Sequence, residues 1–337
     1  MRPVHVLGVG LASSLGHGRD AHAGWAQAAP VVDEARFAPH PVHPLPPLPF
    51  AEAIPRRESR QMEDWQRLGT FAAGLAIADA GAQDRVAEMD LVVAAGGGER
   101  DAALDAQILQ ARPEEAALHA MLQGGLRPTL FLAQLSNLLA GSVSIVHGVG
   151  GSSRTLMGED AAGAEAVRMA HARIAAGTSA LGLCGGAFLA ERPEIVLMHG
   201  FGGALHAGPW APMAARPGRL VLGSAAAFLL LGEAPGIARL AFAATDQGAP
   251  EGSDARLDAL WAAAPPARPG ALDIWAGPFD TPRPGLRLAD AFGHAVEAAF
   301  PLAVAVGALA VQAGAPQVRV AMQGAWLGEA VAVLEAA

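Results

Sequence analysis

The chain has 337 residues, of which 52% are hydrophobic, and its formal net charge at pH 7 is −9. This length and composition suffice for a large core, built as one big domain or as two fused halves. The net charge is negative, and no segment combines clustered basic residues with aromatic residues. Both features argue against nucleic acid as a partner. No apolar run is long enough to predict a membrane span.

The missing residue types restrict the available chemistry. The chain contains no Lys and no Tyr, so no catalytic lysine, Schiff base or phenol acid is available. The single cysteine, Cys184, excludes an intrachain disulfide framework and a cysteine-based metal cluster, which favours the cytoplasm as the compartment. Because Cys184 lies inside the apolar run ALGLCGG, we expect a buried and inert thiol.

In the first half of the chain, short apolar runs alternate with helical patterns. The opening, PVHVLGV, predicts a strand ended by Gly rather than a signal peptide. The proline-rich segment 38–49 predicts an extended surface connection. Further strands are predicted at residues 90–95, 142–148 and 180–186, and helices at residues 56–80, 128–139 and 161–176.

The second half repeats this alternation. Strands are predicted at residues 219–233, 236–245, 271–277, 317–322 and 330–336, and helices at residues 252–264 and 290–313. Apolar strands that alternate with Ala-rich helices indicate α/β layers. Because the strands are continuously apolar, we expect sheets that are buried on both faces.

Two glycine-rich segments suggest a cofactor site, but both are incomplete. GVGLASSLG (Gly8–Gly16) has Ser13 where a dinucleotide-binding turn has its third Gly, and no acidic residue follows at the expected distance. GFGG (Gly200–Gly203) lacks the Lys and Ser/Thr of a P-loop. The flanking His199 and His206 lack a third metal ligand. We therefore expect no cofactor and no metal.

The segment RTLMGEDAAGAE (Arg154–Glu165) has the pattern of a sharp strand-to-helix turn that presents a reactive side chain. None of its residues is an ordinary acyl nucleophile. Further along, His294 follows Gly293 at the start of a long predicted helix, where a neutral imidazole is favoured. Taken alone, such a position is typical of a structural histidine.

Several segments together resemble the β-ketoacyl-ACP synthases of fatty acid and polyketide synthesis. PVHVLGVGLASSLG is similar to their first strand and turn, and residues 133–188 are similar to the central block that holds the T-A-C-A-S-G nucleophile elbow. Residues 215–235 resemble R-D-G-F-V-x-G-E-G-A-G, and Gly293-His294 resembles the K-S-x-x-G-H segment. The resemblance implies a thiolase-like α/β fold with two similar halves, residues 1–235 and 236–337, in five layers, α-β-α-β-α.

The departures from the family pattern determine the expected function. The resemblance places Asp160 at the nucleophilic Cys, with Glu159 before it. It places Gly277 at the first catalytic His and Ala289 at the Lys, so that only His294 is retained. A carboxylate is a weak nucleophile, and its charge opposes a developing oxyanion. QGAWLGEAVAVLE also replaces the family's G-F-G-G-T-N gating loop, so we expect no active catalytic residue.

The resemblance thus implies a noncatalytic subunit similar to the chain-length factors. These pair with an active ketosynthase in a heterodimer, shape the acyl tunnel and meet the acyl carrier protein through the partner. The short chain and the G-S-S-R-T-x-M-G-E pattern resemble the ketosynthase-like proteins of aryl-polyene and xanthomonadin-type clusters. Two alternatives stay open. One is an enzyme that decarboxylates or hydrolyses malonyl or acyl thioesters with Asp160 or Glu159 and His294, and the other is a homodimeric acyl-binding protein.

Three structural expectations follow from the chain-length-factor hypothesis. SVSIVHG (142–148) is the expected edge strand for the partner, because an exposed strand edge needs covering. TLFLAQLSNLLAG (129–141) is expected to be a helix of the interface, of the acyl tunnel or of the ordinary core. Glu159 and Asp160 are expected to pair with Arg154 or Arg168 and to stay ionised.

Overall fold

The computed structural model describes residues 2–98, 100–126 and 134–337. Within these residues, eleven strands form one mixed sheet and two short strands form a separate parallel pair. The strands are β1 (His5–Ser13), β2 (Gly16–His17), β3 (Val42–His43), β4 (Met89–Ala94), β5 (Ser153–Leu156), β6 (Leu181–Phe188), β7 (Leu222–Gly223), β8 (Ala225–Gly232), β9 (Ala238–Asp246), β10 (Leu272–Trp275), β11 (Leu286–Arg287), β12 (Gln317–Gln323) and β13 (Glu329–Glu335).

Most of the helices are short, and the longer ones include those that pack on the large sheet. The α-helices are α1 (Gly18–His22), α2 (Phe50–Ala53), α3 (Arg56–Ser59), α4 (Asp64–Asp79), α5 (Ala102–Ala111), α6 (Glu115–Gly125), α7 (Asn137–His147), α8 (Glu159–Ala175), α9 (Pro193–Phe201), α10 (Ser253–Ala263), α11 (Leu288–Phe292) and α12 (Ala299–Gln312). Single 3₁₀ turns lie at Trp25–Gln27, Gln83–Glu88, Met213–Ala215, Pro250–Gly252 and Val296–Ala298. None of the helices in the described ranges is long and apolar enough to cross a membrane.

The sheet consists of two halves with the same strand order. From one outer edge inward, the first half runs β5-β4-β6-β8-β1, and from the other edge the second half runs β11-β10-β12-β13-β9. The outer three strands of each half are parallel to one another, and the inner two are antiparallel to their neighbours. The halves join where His5 and Val6 of β1 pair with Arg239 and Ala238 of β9.

Helices cover the two halves of the sheet in a layered arrangement. α8 and α12 contribute to the core between the halves, where Val167, Phe300 and Val304 are buried. α4 and α7 cover the other face of the first half, and α10 covers the other face of the second half. The expected five layers, α-β-α-β-α, with two similar halves are therefore confirmed. The expected division at residues 235 and 236 falls between β8 and β9 and stays a prediction.

Gly8 and Gly10 do not end the first strand, although the sequence suggested that they would. Both lie inside β1, where α4 crosses the strand closely. A Cβ at Gly10 would lie 1.9 Å from the carbonyl oxygen of Ala72, and one at Gly8 would lie 2.6 Å from that of Ala76. These glycines allow a helix to pack directly on a strand, which explains their presence without a cofactor.

The prediction of an edge strand at SVSIVHG is wrong, because residues 142–147 belong to α7. Leu139, Ala140 and Val143 are buried on one side of α7, whereas Ile145 is exposed. The outer strand of this half is instead β5, the next segment along the chain. Of the predicted helix 129–141, residues 129–133 lie outside the described residues, and residues 137–141 begin α7.

Candidate functional site

A sharp turn joins β5 to α8 and carries the two carboxylates singled out from the sequence. Gly158 has φ 142°, and Glu159, the first residue of α8, has φ 53°. A positive φ is uncommon for a residue with a side chain and marks local strain. The turn therefore keeps the conformation of a nucleophile elbow, and its acidic side chains lie at the positive end of the helix dipole.

Asp160 is almost fully buried, and its carboxylate contacts two groups of the second half of the chain. One oxygen, Oδ2, accepts a hydrogen bond of 3.0 Å from the backbone N–H of Ala325. The other, Oδ1, lies 3.2 Å from Nε2 of His294, at ion-pair distance but without hydrogen-bond alignment. The N–H of Ala325 therefore already has a carboxylate of the chain itself as its acceptor, and a developing oxyanion would have to displace that carboxylate to use this donor.

The expected ion pairs of Glu159 and Asp160 with arginine are not present in the structure. Arg168 pairs with Glu165, one turn earlier on α8. Arg154 donates to the hydroxyl of Ser152. The prediction failed because β5 is extended, and because Arg168 lies about two helical turns beyond Asp160 on α8.

The backbone on both sides of His294 holds its imidazole in place. The backbone N–H of His294 donates to the carbonyl of Val221 over 2.7 Å. The backbone carbonyl of His294 accepts from the N–H of Gly223 over 3.0 Å. Gly293 has φ 69°, and a Cβ there would lie 2.7 Å from the backbone of Leu222. His294 therefore precedes the long helix rather than starting it, since α12 begins at Ala299.

The structure does not bring the other two degenerate positions into this cluster. Ala289 is buried in an apolar group with Met213 and Trp275. Gly277 packs against Trp275 and the carbonyl of Gln323, where a Cβ would approach to 2.8 Å. Neither position offers a polar side chain, so of the expected site residues the structure joins Glu159, Asp160 and His294.

A cavity of about 470 Å³ opens beside the turn. Its volume lies in the range of about 300–1,000 Å³ that is typical of small-molecule sites. The wall is mainly apolar, with four ionisable side chains at intervals. It is lined by Trp65, Gly96, Gly97, Met157, Gly158, Glu159, Ala187, Phe188, Leu189, Arg192, Ile195, Met198, His199, Val296, Glu297, Trp326 and Leu327.

Burial perturbs the ionisable groups of this cavity. It raises the pKa of Glu297 to about 8, and the carboxylates of Asp160 and Glu159 add to this effect. Burial and the neighbouring Asp160 charge also raise the pKa of Glu159. Burial lowers the pKa of His199, which favours a neutral imidazole. At neutral pH the wall therefore carries less charge than its composition suggests.

One feature of the sequence, outside the family pattern, points to this cavity. Between Asp290 and Arg319, Glu297 is the only Asp, Glu, Lys or Arg. A single charged residue in such an apolar stretch is rarely buried without a reason. No comparable sequence pattern marks Arg192 or Trp326, because only the tertiary fold brings these residues to the cavity.

The remaining sequence candidates lie elsewhere or serve the fold. Cys184 is fully buried in β6, and burial raises the pKa of its thiol, as expected for an inert cysteine. Gly200–Gly203 closes the end of α9. His206 hydrogen-bonds to the carbonyl of Pro209. Across the parts of the chain that the structure describes, no group of three or more His, Cys, Asp or Glu could hold a metal ion.

The sheet edge at β5 lies next to several exposed apolar side chains. We call these three residues the apolar face: Ile145, Met157 and Met198. Ile145 belongs to α7, which packs on β5, and Met157 directly follows β5. Met157 and Met198 also line the cavity. Among the described residues no strand pairs with the outer side of β5, and this strand edge, the apolar face and the cavity mouth occupy one region.

Three comparisons with known proteins bear on this arrangement. The family model for the β-ketoacyl synthase N-terminal domain matches residues 47–235. A search of curated protein sequences finds no match to the chain.

Solved structures show the same fold over the whole chain. The ishigamide ketosynthase/chain length factor is 18% identical with a TM-score of 0.79, covering 100% of this chain and 99% of that one. The AntDE:AntF complex, a type II polyketide synthase acyl-carrier protein with its ketosynthase bound to the hexaketide, is 17% identical with a TM-score of 0.77. A β-ketoacyl synthase from Burkholderia phymatum STM815 is 16% identical with a TM-score of 0.75. The last two matches cover 100% of both chains.

The family match spans more than half of the chain and includes the turn that carries Glu159 and Asp160. The structural matches confirm the thiolase-like fold expected from the sequence. The retained turn, the retained His294 and the order of the strands agree with both findings. This chain therefore belongs to the β-ketoacyl synthase family.

Proposed function

We propose that this chain is a noncatalytic, chain-length-factor-like partner of an active β-ketoacyl synthase. The observation that carries the proposal is the environment of Asp160. Its carboxylate stands where the resemblance places the nucleophilic Cys, and it contacts both His294 and the N–H of Ala325. A chain built in this way retains the shape of the site and gives up acyl transfer.

The partner role is supported by the free edge of β5. An unpaired strand edge beside exposed apolar side chains favours association with another sheet edge. The similar ishigamide structure is described as a ketosynthase/chain length factor. In the proposed heterodimer, the partner's sheet continues from β5, and its surface covers the apolar face and the mouth of the cavity.

The cavity gives the proposed subunit a means of limiting an acyl chain. Its wall of Trp, Phe, Met, Leu and Ile side chains would form part of the acyl tunnel. The partner supplies the catalytic cysteine and receives the acyl carrier protein. The pathway is of the polyketide or fatty-acid type, and aryl-polyene or xanthomonadin-type clusters are the proposed subtype.

The first test is a tagged pull-down from the source cells followed by native mass spectrometry. We expect a one-to-one complex with a ketosynthase that contains the active-site Cys. In the reconstituted complex, replacing that Cys with Ala should abolish condensation, whereas Asp160→Asn in this chain should leave it largely intact. A stable homodimer that ignores every ketosynthase offered would instead favour the homodimeric acyl-binding alternative.

One observation favours the alternative of an altered enzyme. Glu159 lines the cavity, and its raised pKa is a common property of acid–base residues. The isolated chain can be assayed for decarboxylation of malonyl-ACP and for hydrolysis of acyl-ACP between about pH 5 and pH 9. Turnover that Glu159→Gln or Asp160→Asn abolishes would support this alternative, and no turnover at any pH would remove it.

A further inference from the structure

The cavity wall combines a large apolar surface with the buried carboxyl group of Glu297. Glu297 lies in the 3₁₀ turn Val296–Ala298 and is 4% exposed. Its Oε2 has no hydrogen-bond partner among the described residues. Leaving a buried polar atom unpaired costs about 1–3 kcal/mol, so its presence calls for a ligand or a structural reason.

The surroundings of Glu297 make room for the carboxyl group. Gly96 faces it, and a Cβ at Gly96 would lie 2.5 Å from Oε1. Arg192, a cation in the same cavity wall, donates instead to Glu194 and to the carbonyl of Gly98. The carboxyl group is therefore accommodated at the cavity wall without being neutralised by an ion pair.

A hydrocarbon chain alone would not favour this residue. For a purely apolar ligand, a leucine at position 297 would fill the wall without the cost of burying a carboxyl group. Because burial raises the pKa of Glu297 to about 8, the group is mostly a neutral acid at pH 7. A neutral carboxylic acid donates one hydrogen bond and accepts others, which suits a hydroxyl or a keto oxygen.

We propose that the cavity binds an acyl chain that carries an oxygen substituent, and that Glu297 recognises this oxygen by hydrogen bonding. The acyl nature of the ligand rests on the proposed function, whereas the recognition of an oxygen rests on Glu297 and Gly96. The ligand is uncharged at this point, because the carboxylates of Glu159 and Asp160 lie nearby and disfavour an anion. Glu297 is thus a specificity-determining residue of the acyl site.

The test uses N-acetylcysteamine thioesters as soluble substitutes for the carrier-bound acyl group. The probes are the octanoyl thioester and matched thioesters that carry one hydroxyl or one keto group at successive carbons. Binding to the full chain is followed by tryptophan fluorescence, because Trp65 and Trp326 line the cavity. Glu297→Leu and Glu297→Gln are compared with the wild type and with Glu88→Gln, an exposed carboxylate outside the cavity lining.

We expect at least one oxygenated thioester to bind the wild type about five- to tenfold more tightly than the octanoyl thioester. The hydroxyl and keto series show which oxygen is preferred. Glu297→Leu should abolish the preference while retaining or improving octanoyl binding, which also shows that the variant is folded. Glu297→Gln should keep part of the preference, because its amide still donates, and Glu88→Gln should keep all of it.

Two results would overturn the inference. One is equal binding of all thioesters to the wild type, and the other is a preference that survives Glu297→Leu unchanged. Neither result affects the one-to-one complex with a ketosynthase, which tests the proposed function separately. Conversely, selective binding by a chain that pairs with no ketosynthase would uphold the recognition of the oxygen and reject the partner role.

Discussion

The two halves of the sheet have the same strand order but very different outer edges. In the second half the edge strand, β11, has only two residues, and the side chain of Arg287 folds back onto the carbonyls of Thr281, Arg283 and Gly285. In the first half the edge strand, β5, has four residues, and the apolar face adjoins it. A short edge with a charged side chain resists pairing, whereas a longer edge beside apolar residues invites it.

The same contrast extends to the turns that precede the central helices. In the first half, β5 leads through a strained turn directly into α8, with Asp160 buried at its start. In the second half, β11 leads first through α11 and His294 before α12 begins. One duplicated framework thus supplies the carboxylate from one half and the imidazole from the other. The comparison suggests where substitutions should have unequal effects.

The largest expected effect concerns the packing of α8 against the 3₁₀ turn Val296–Ala298, which precedes α12. A Cβ at Gly163 of α8 would lie 2.3 Å from the backbone carbonyl oxygen of Glu297. We expect Gly163→Ala to lower the free energy of unfolding by about 3 kcal/mol, because a backbone atom cannot move aside easily. Urea-induced unfolding followed by circular dichroism measures the change.

Gly307→Ala in α12 is the matched control from the other half. A Cβ there would meet side-chain methyl groups of Leu334 and Val318 at 3.0 and 3.1 Å. The gain in helix propensity of about 1 kcal/mol offsets this tighter packing, so stability should change by less than about 1 kcal/mol. Equal effects of the two substitutions would show that the central helices are packed alike.

The second prediction concerns Glu297, at the junction of the halves. Its pKa is raised from 4.5 to about 8 in the folded protein, so the folded state holds a proton that the unfolded state loses. Stability should therefore fall as pH rises from about 4.5 towards about 8. In Glu297→Gln this loss of stability is absent. The free energy of unfolding of the variant, relative to that of the wild type, should therefore increase by about 2 kcal/mol as pH rises from about 5 to about 8.

Urea titrations of both proteins across this range give the difference directly. Titrations of groups that do not interact with Glu297 are shared by the two proteins and cancel. A difference that stays constant with pH would mean that Glu297 is ionised in the folded state. Glu88→Gln, on the surface, should show no such trend.

The third prediction concerns the contact of Asp160 with Ala325. Asp160→Ala leaves the N–H of Ala325 without its acceptor and should cost about 2 kcal/mol of stability. Asp160→Asn retains an oxygen for this N–H and should cost less. Hydrogen exchange of the Ala325 amide should be fast only in Asp160→Ala, and equally slow exchange in both variants would contradict the assigned contact.

The smallest effect on stability, with the largest effect on assembly, is expected at β5. The carbonyls of Ser152 and Leu156 bond to β4, so the alternation of a parallel strand directs the N–H of Thr155 outward. Thr155→Pro should change the stability of the isolated chain by less than about 1 kcal/mol. It should prevent the complex with the ketosynthase in native mass spectrometry.

Two controls compare the two edges. Thr155→Val keeps the N–H and a similar shape, and should form the complex. Arg287→Ala alters the opposite edge and should also leave the complex unchanged. Loss of the complex in Arg287→Ala but not in Thr155→Pro would place the interface at the β11 edge and contradict the proposed β5 interface.

The sequence predicted the layered fold and the alternation of strands and helices well, because continuous apolar strands and Ala-rich helices are distinct patterns. It failed at SVSIVHG, where Val143 and Val146 suggested a strand. Together with Leu139, these residues also follow the helical spacing of three and four, and a short apolar run does not decide between the two. Gly10 was similarly ambiguous, because a glycine marks a turn or a close approach equally well.

For the site, the family pattern led to Glu159, Asp160 and His294, which the structure brings together. The contact of Asp160 with Ala325 joins two segments from distant parts of the chain, and no local pattern predicts it. Arg154 and Arg168 were plausible partners by sequence distance, but position along α8 and strand extension separate them from the turn.

The pairing of β1 with both β8 and β9 has a consequence for how the chain folds during synthesis. β1 finds its long strand neighbours, β8 and β9, only after Gly232 and Arg239 have been translated. At typical rates of synthesis this delay is on the order of tens of seconds. Until then β1 is an apolar segment without a sheet, and such late, non-local pairing makes folding slow and exposes the nascent chain to chaperones.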